Sequence, residues 1–361
     1  MDESLKRVYF RGPGEGYEIV IGNGILAALE KKINDRKPDK TCIVINETVR
    51  RLYGDYLRPL IESDGSSFYY IMPDGETHKS YRDAEGLFSF MLENGFTRRS
   101  LMVAVGGGVT GDFAGYGAAL YMRGIPVVQV PTTLLSMVDS SIGGKVAVNI
   151  SAGKNIIGAF HQPLMVVSDT FFLKTLPPAE MRNGLTEALK HGLIGDRRSL
   201  DLFVKGDYGS ITALPMVEEL VYRSAVFKTS IVTQDETESG IRAVLNFGHT
   251  VGHAIESFFC YKGISHGEAV ALGMKAELEA SVRMGLMAED ERTTAAGLID
   301  AYGLAPAGLN LDGAEIVKHM KFDKKNVGGS IRCVLLESIG KPLYNQPVDE
   351  GLMERVINEA L

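Results

Sequence analysis

The sequence predicts two domains, an α/β unit with a largely parallel sheet and then a mainly helical unit. Three observations carry this expectation. The chain has 361 residues, beyond the ~250–300 at which a single hydrophobic core stops growing. Its first half alternates short β-branched runs with amphipathic helical patterns, and runs such as Leu101-Met102-Val103-Ala104-Val105 show no polar alternation. Strands covered by helices on both faces read this way. After Leu176-Pro177-Pro178 the strands nearly vanish and long helical patterns take over, as prolines close one element and composition shifts.

In chain order, strands are expected at 17–22, 41–45, 67–72, 100–105, 127–130 and 165–168, with helices such as 25–32 and 82–94 between them. The boundary falls near residue 176, giving domains 1–176 and 177–361. Glu180, Glu187 and Lys190 open the helical half. Further helices are expected at 214–236, 248–259, 267–284 and 288–302, then a short β pair at 331–336 and 342–344 and a terminal helix. Ligand clefts concentrate between domains, so one is expected there.

Composition narrows the function classes. Hydrophobic residues at 45% and charged residues at 23% exclude a disordered chain. The 38 basic against 45 acidic residues, a formal charge of −7, disfavour a nucleic-acid binder while leaving room for local cationic clusters. Cys42, Cys260 and Cys333 are too few and too scattered for a disulfide framework or a metal knuckle. The start shows no basic-then-apolar leader, and no stretch approaches ~18 apolar residues. A soluble cytoplasmic protein without membrane partners is expected.

Glycine is in excess, 41 of 361 residues, about 11% against a usual ~7%, and the excess is clustered. Gly106-Gly107-Gly108-Val109-Thr110-Gly111-Asp112 follows an expected strand and opens an expected helix. Glycines let backbone N–H groups approach an anion, and the helix N-terminus adds a positive dipole end. A pyrophosphate fits that arrangement; the competing reading is a tight turn that needs positive φ. Gly22-Asn23-Gly24-Ile25-Leu26-Ala27 resembles a dinucleotide fingerprint but reads better as a plain turn and helix start. The third cluster, Ser141-Ile142-Gly143-Gly144-Lys145 with Asn149 and Gly153-Lys154-Asn155, suits an anionic or hydroxyl-rich ligand, or is a loop with solvated lysines.

Three of seven histidines, His249, His253 and His266, lie within eighteen residues. His249 and His253 are four apart and share a helix face. A zinc-like ion held by imidazoles and one carboxylate would keep an open catalytic position. The carboxylate is Glu187, Glu256 or Glu268, and spacing does not choose among them. Lys190 lies three residues after Glu187, where a simple intrahelical ion pair is the usual outcome. Lys228, Arg242, Lys324 and Lys325 are surface charges taken singly, but gathered around one cleft they would select a small polyanion.

Gly106 to Asp112, Tyr121-Met122-Arg123-Gly124, Gln129-Val130-Pro131-Thr132-Thr133-Leu134-Leu135, Val138-Asp139-Ser140-Ser141, Gly143-Gly144-Lys145 and Gly153-Lys154-Asn155 resemble 3-dehydroquinate synthases. So do Leu176-Pro177-Pro178, Gly184-Leu185-Thr186-Glu187-Ala188-Leu189-Lys190, Leu245-Asn246-Phe247-Gly248-His249-Thr250, His266-Gly267-Glu268-Ala269-Val270 and Asp323-Lys324-Lys325. The blocks are ordered and span nearly the whole chain. The resemblance implies a dehydroquinate synthase-like fold: an α/β N-terminal Rossmann-like NAD-binding domain, then a mainly α-helical C-terminal domain that binds metal and substrate. It also implies NAD, Zn2+ or Co2+, and a homodimer.

Residue by residue, the resemblance implies metal ligation by Glu187, His249 and His266. It implies NAD binding by Asn46, Asp74, Gly75, Glu76, Thr77, His78, Lys79, Gly108, Val109, Thr110, Gly111, Asp112, Thr132, Thr133, Phe172, Leu173, Lys174 and Thr175. Catalytic and substrate-side positions would be Arg123, Asp139, Asn155, Lys190, Lys228, Arg242, Asn246, His253 and Lys325, with Lys145 and Lys154 serving both substrate and cofactor. The sequence departs from the family pattern at His191, where tyrosine is common, at Thr110, and at Ile150-Ser151-Ala152. None of these removes a charged or metal-liganding position.

The implied reaction converts 3-deoxy-D-arabino-heptulosonate 7-phosphate into 3-dehydroquinate and phosphate, a lyase step of the shikimate pathway toward chorismate and aromatic amino acids. Hydride leaves ring carbon 5 for NAD, phosphate departs by β-elimination, hydride returns, the ring opens and an aldol step closes the carbocycle. The substrate's own phosphate can act as base, so no dedicated protein base is required. The competing readings are another sugar phosphate cyclase, a metal-dependent polyol dehydrogenase, or a non-catalytic metal-dependent regulator. Lys145, Lys154, Arg242 and Lys325 together argue against the dehydrogenase. The presence of Glu187, His249, His266 and Lys145 argues against the regulator.

Overall fold

The structure is a computed structural model that describes residues 5–12, 14, 16–62, 66–151, 153–321 and 331–361. It divides into two compact units, Met1–Pro177 with Lys228–Thr233, and Pro178–Phe227 with Gln234–Leu361.

Among the described residues, nine strands build the first unit: β1 (Lys6–Phe10), β2 (Tyr17–Gly22), β3 (Thr41–Asn46), β4 (Ser67–Met72), β5 (Leu101–Gly106), β6 (Val127–Pro131), β7 (Lys145–Ile150), β8 (Gly153–Phe160) and β9 (Met165–Asp169). Seven of them form one sheet in the order β1-β2-β9-β6-β5-β3-β4. Only the β1–β2 pairing is antiparallel; the remaining neighbours run parallel. Every residue of β5, β6 and β9 is buried, which is why their apolar runs carry no alternation. Helices Tyr81–Glu93 and Gly108–Leu120 cover the sheet, and Leu87, Met91, Phe113 and Tyr116 share a core with Val44, Met102 and Ala104.

Three strands were not anticipated. β1 is a short edge strand whose first two residues are Lys6 and Arg7. β7 and β8 form a separate antiparallel hairpin, so the segment read as a glycine-relieved loop is ordered strand. Val146 and Val148 are buried in it while Lys145 is exposed, a period-two signal hidden beneath the glycines and lysines around it.

The second unit is helical. Its helices include Pro178–Ile194, Arg197–Lys205, His249–Phe258, His266–Arg283, Glu289–Ala301, Gly313–Lys321 and Glu350–Ala360. Helix Met216–Gln234 supplies residues to both units, because Lys228–Thr233 packs with the first. A hairpin of β10 (Ile331–Ser338) and β11 (Lys341–Val348) completes the unit. Val251, Ile255, Leu272, Ala276, Ile316, Leu335 and Val356 form its core. Among the described residues, no helix is long and apolar enough to cross a membrane.

Candidate functional site

In the first unit the residues proposed for a dinucleotide lie at one edge. Asn46 ends β3, Asp74 follows β4, Gly106 ends β5 with Gly107 and Gly108 after it, Thr132 and Thr133 follow β6, and Phe172 to Thr175 follow β9. All sit at or beyond the carboxyl ends of parallel strands. β5 and β4 leave β3 in opposite directions across the sheet, and open α/β sheets bind ligands at such a reversal.

The glycine turn is tight without being left-handed. Gly107 caps helix Gly108–Leu120 with φ −72° and ψ −172°, and none of Gly106, Gly107, Gly108 or Gly111 has positive φ. The competing explanation, a turn needing positive φ, is therefore overturned. Space is the reason instead: a Cβ on Gly106 would stand 2.5 Å from Thr110 Cβ, and one on Gly107 would stand 3.1 Å from Thr133 Cγ2. The bare backbone leaves the first amides of the helix uncovered by any capping side chain, a cradle suited to pyrophosphate.

The second glycine motif explains itself differently. Gly24 and Ile25 donate their amides to the two carboxylate oxygens of Asp169 at 2.8 Å each, and Tyr56 Oη donates to the same carboxylate at 2.6 Å. That helix start already holds an anion, and the anion is the protein's own. Burial and the Asp169 carboxylate together push the Tyr56 phenol up.

Around the glycine turn, charges are tied across the unit. Lys79 is buried, pairs with Asp112 and donates to Asn155 Oδ1 at 2.6 Å. Asn149 donates to Glu76 Oε1 at 2.8 Å and accepts from the Asn155 amide at 2.9 Å, where Asn155 adopts φ 54°. The Asp74 to Lys79 loop, the helix start and the β7–β8 hairpin thus form one polar network carrying Lys145 and Lys154 on its strands. Asp74 itself accepts from Asn46 and from Thr48 Oγ1 at 2.6 Å. Lys228 Nζ reaches Asp139 Oδ1 at 2.7 Å and the Asp139 carbonyl at 2.6 Å. Arg123 follows Met122 in consecutive left-handed backbone, φ 69° after φ 50°.

In the second unit, Glu187 sits on helix Pro178–Ile194, His249 begins helix His249–Phe258 and His266 begins helix His266–Arg283. Glu187 Oε1 lies 3.6 Å from His249 Nε2 and 3.7 Å from His266 Nε2. Glu187 is fully buried, and its Oε1 has no hydrogen-bond partner among the described residues. The three donor atoms lie within 4.8 Å of one another. An orphaned carboxylate oxygen facing two imidazole nitrogens is the donor set of a zinc-type ion.

The three carboxylates that spacing could not separate have distinct surroundings. Glu187 faces both Nε2 atoms. Glu256 Oε2 lies 3.4 Å from His266 Nδ1, on the far side of that ring. Glu268 closes a capping box with Ser265, so it holds the helix start rather than facing the other donors. Asn183 Oδ1 accepts from Ser265 Oγ at 2.7 Å and from the Gly267 amide at 3.2 Å, which fixes the backbone on both sides of His266. Burial pushes the His266 imidazole down, but Glu256 and Glu187 outweigh it and hold the ring above its ordinary value.

Lys190 is buried against Glu187 in an intrahelical ion pair. The His253 ring stands 5.4 Å from that of His249 and 6.1 Å from that of His266. Arg242 is buried and donates to the Glu236 carbonyl, and Asn246 donates to Glu238. Lys324 and Lys325 lie outside the described residues. One group escaped sequence reading: Glu277, fully buried, accepts the Gly248 amide at 2.6 Å and so anchors the residue before His249. Its signal was a lone carboxylate on a helix face otherwise made of Ala269, Gly273, Ala276 and Ala280.

The open, mainly parallel sheet with its bare glycine turn, and the helical unit with its carboxylate–imidazole cluster, form a dehydroquinate synthase-like fold, shared with solved sugar phosphate cyclases. The solved 2-deoxy-scyllo-inosose synthase complexed with carbaglucose-6-phosphate, NAD+ and Co2+ superposes with TM-score 0.90 at 28% identity, covering 99% of this chain and 100% of that one. The 2-epi-5-epi-valiolone synthase of Streptomyces hygroscopicus, with NAD+ and Zn2+ bound, gives 0.84 at 27% identity and 98% coverage of both chains. The family model for the 3-dehydroquinate synthase N-terminal region matches residues 69–183, and that for the C-terminal region matches 184–326. The 3-dehydroquinate synthase of Methylococcus capsulatus is 43% identical over 358 residues, 98% of this chain and 99% of that protein. The chain belongs to the 3-dehydroquinate synthase family.

Proposed function

We propose that the protein is a lyase that converts 3-deoxy-D-arabino-heptulosonate 7-phosphate into 3-dehydroquinate and inorganic phosphate. The observation that carries this reading is the orphaned Glu187 Oε1 facing His249 Nε2 and His266 Nε2 at 3.6 and 3.7 Å, in a chain of this family. Glu187, His249 and His266 would hold the divalent ion, and the carboxyl edge of the sheet, with Gly107 and Gly108 at its centre, would hold NAD. When bound, the ion supplies a Lewis acid toward substrate hydroxyls, and NAD supplies a reversible hydride acceptor.

The chain's own residues do the rest. Bare amides at the start of helix Gly108–Leu120 meet the pyrophosphate, while Asp74 is a carboxylate acceptor for ribose hydroxyls. Lys145, Lys154, Arg242 and Lys325 supply the cationic charge for a substrate with a carboxylate at one end and a phosphate at the other. Holding one polyanion through successive steps turns separate encounters into unimolecular ones. Lys228, paired with Asp139, is held in place rather than swinging freely. We further propose a cytoplasmic homodimer, with residues 1–176 serving the dinucleotide and 177–361 the metal and substrate.

A dehydrogenase reading has only the fold in its favour: an iron-containing alcohol dehydrogenase superposes with TM-score 0.65 at 17% identity. The deciding assay measures inorganic phosphate released from the heptulosonate phosphate with catalytic NAD, with and without chelator. Chelator-sensitive release without net NADH is expected; stoichiometric NADH would favour the dehydrogenase.

A further inference from the structure

Two imidazoles face Glu187 through Nε2, and each must present a lone pair there to bind a metal. A ring does so when its Nδ1 carries the proton, and a fixed acceptor at Nδ1 secures that tautomer. For His249 the acceptor is backbone: the Phe247 carbonyl lies 3.2 Å from Nδ1. For His266 no backbone carbonyl takes that place among the described residues. Its Nδ1 meets the Glu256 carboxylate at 3.4 Å.

We infer that Glu256 is a positioning residue for metal binding, accepting the Nδ1 proton of His266 so that Nε2 points at Glu187 with a free lone pair. Helix His249–Phe258 carries both His249 and Glu256, seven residues apart and so on one face. One helix therefore supplies a ligand and the support of the other ligand. Glu256 is itself buried. A carboxylate is costly to bury without a partner, and its placement against the imidazole edge away from Glu187 supplies one. The charge also makes the ring a stronger donor toward a cation. The same carboxylate does not join the Glu187 cluster as a ligand, because His266 stands between them: its Nε2 is 3.7 Å from Glu187 and its Nδ1 is 3.4 Å from Glu256.

The inference rests on the metal reading above, so the test separates the two. Zinc affinity is measured by competition with a chromophoric chelator in the full-length protein, its Glu256→Gln and Glu256→Ala variants, and the controls His266→Ala and Glu187→Gln. In parallel, nitrogen NMR of labelled histidine in the metal-free proteins, at alkaline pH, reads the His266 tautomer. Glu256→Ala should weaken zinc binding about 10- to 100-fold and shift His266 away from the Nδ1–H form. Glu256→Gln, which keeps the volume and an acceptor but not the charge, should keep the tautomer and weaken binding about 10-fold. Unchanged zinc affinity in Glu256→Gln, or an unchanged tautomer in folded Glu256→Ala, overturns the inference while the controls still lose zinc. Two zinc ions per chain, one of them lost with Glu256, would make it a ligand of a second ion and also overturn it. Zinc retained by both controls would overturn the metal reading itself.

Discussion

Replacing Lys190 with Met tests whether the Glu187 cluster is built to receive a cation. Lys190 and Glu187 have side chains 1% and 0% exposed, and they form an ion pair within one helix. Met keeps the length and removes the charge, leaving a fully buried carboxylate without its lysine partner. Breaking a buried pair on one side costs about 3–5 kcal/mol. For a unit of this size each kcal/mol moves the midpoint by about 2–4 °C, so the metal-free variant should melt roughly 6–20 °C lower. Metal changes the comparison. An ion at Glu187, His249 and His266 restores positive charge beside the stranded carboxylate, so it should stabilise the variant more than the parent. Zinc at ~100 times the parent's dissociation constant adds ~2.7 kcal/mol to the parent; the variant, binding zinc more tightly, should gain more at the same concentration. The assay is calorimetric melting of both proteins in chelator and in excess zinc. The gap should be wide in chelator and narrow in zinc. A gap that zinc leaves unchanged, or no gap in chelator, would refute the reasoning.

Gly107→Val should abolish NAD binding in a protein that still folds, because φ −72° admits a side chain while its Cβ would press on Thr133 at 3.1 Å and cover the amides; calorimetric titration with NAD reads it, and unchanged affinity would place the phosphate cradle elsewhere. Lys145→Ala removes an exposed cation from β7 and should lower phosphate release by orders of magnitude, far more than it weakens NAD binding. Near-normal release would take Lys145 out of the substrate site. Asp169→Ala strands the amides of Gly24, Ile25 and Phe171 and the Tyr56 hydroxyl, at a cost of about 3–5 kcal/mol, seen as a lower urea midpoint. A variant as stable as the parent would mean that water replaces the carboxylate.

The parallel sheet was legible because its central strands are buried on both faces, and burial on both faces writes itself as unbroken Val, Ile and Leu. β1 was not, since an edge strand beginning Lys6-Arg7 answers to one neighbour only. The β7–β8 hairpin was hidden by the positive φ of Gly143 and Gly144 before it, which invites a loop reading. In the second unit, helical spacing aligned His249 with His253 but had no means of bringing Glu187 from an earlier helix or His266 from a later one. Spacing could not choose among Glu187, Glu256 and Glu268, and only the family resemblance pointed to Glu187; in three dimensions one faces two Nε2 atoms, one faces an Nδ1 and one caps a helix. The apparent fingerprint at Gly22 and Gly24 failed for a reason no local pattern carries, namely that Asp169, from a distant strand, occupies its amides.

In the proposed reaction a hydride is removed and returned within a single turnover of phosphate release. Heptulosonate phosphate deuterated at carbon 5, converted by the zinc-loaded protein with catalytic NAD, reports that cycle. Full retention of deuterium in the carbocyclic product, one phosphate released per product and no accumulated NADH is the expected result. Deuterium accumulating in NADH, or lost to solvent while phosphate is released, would contradict it.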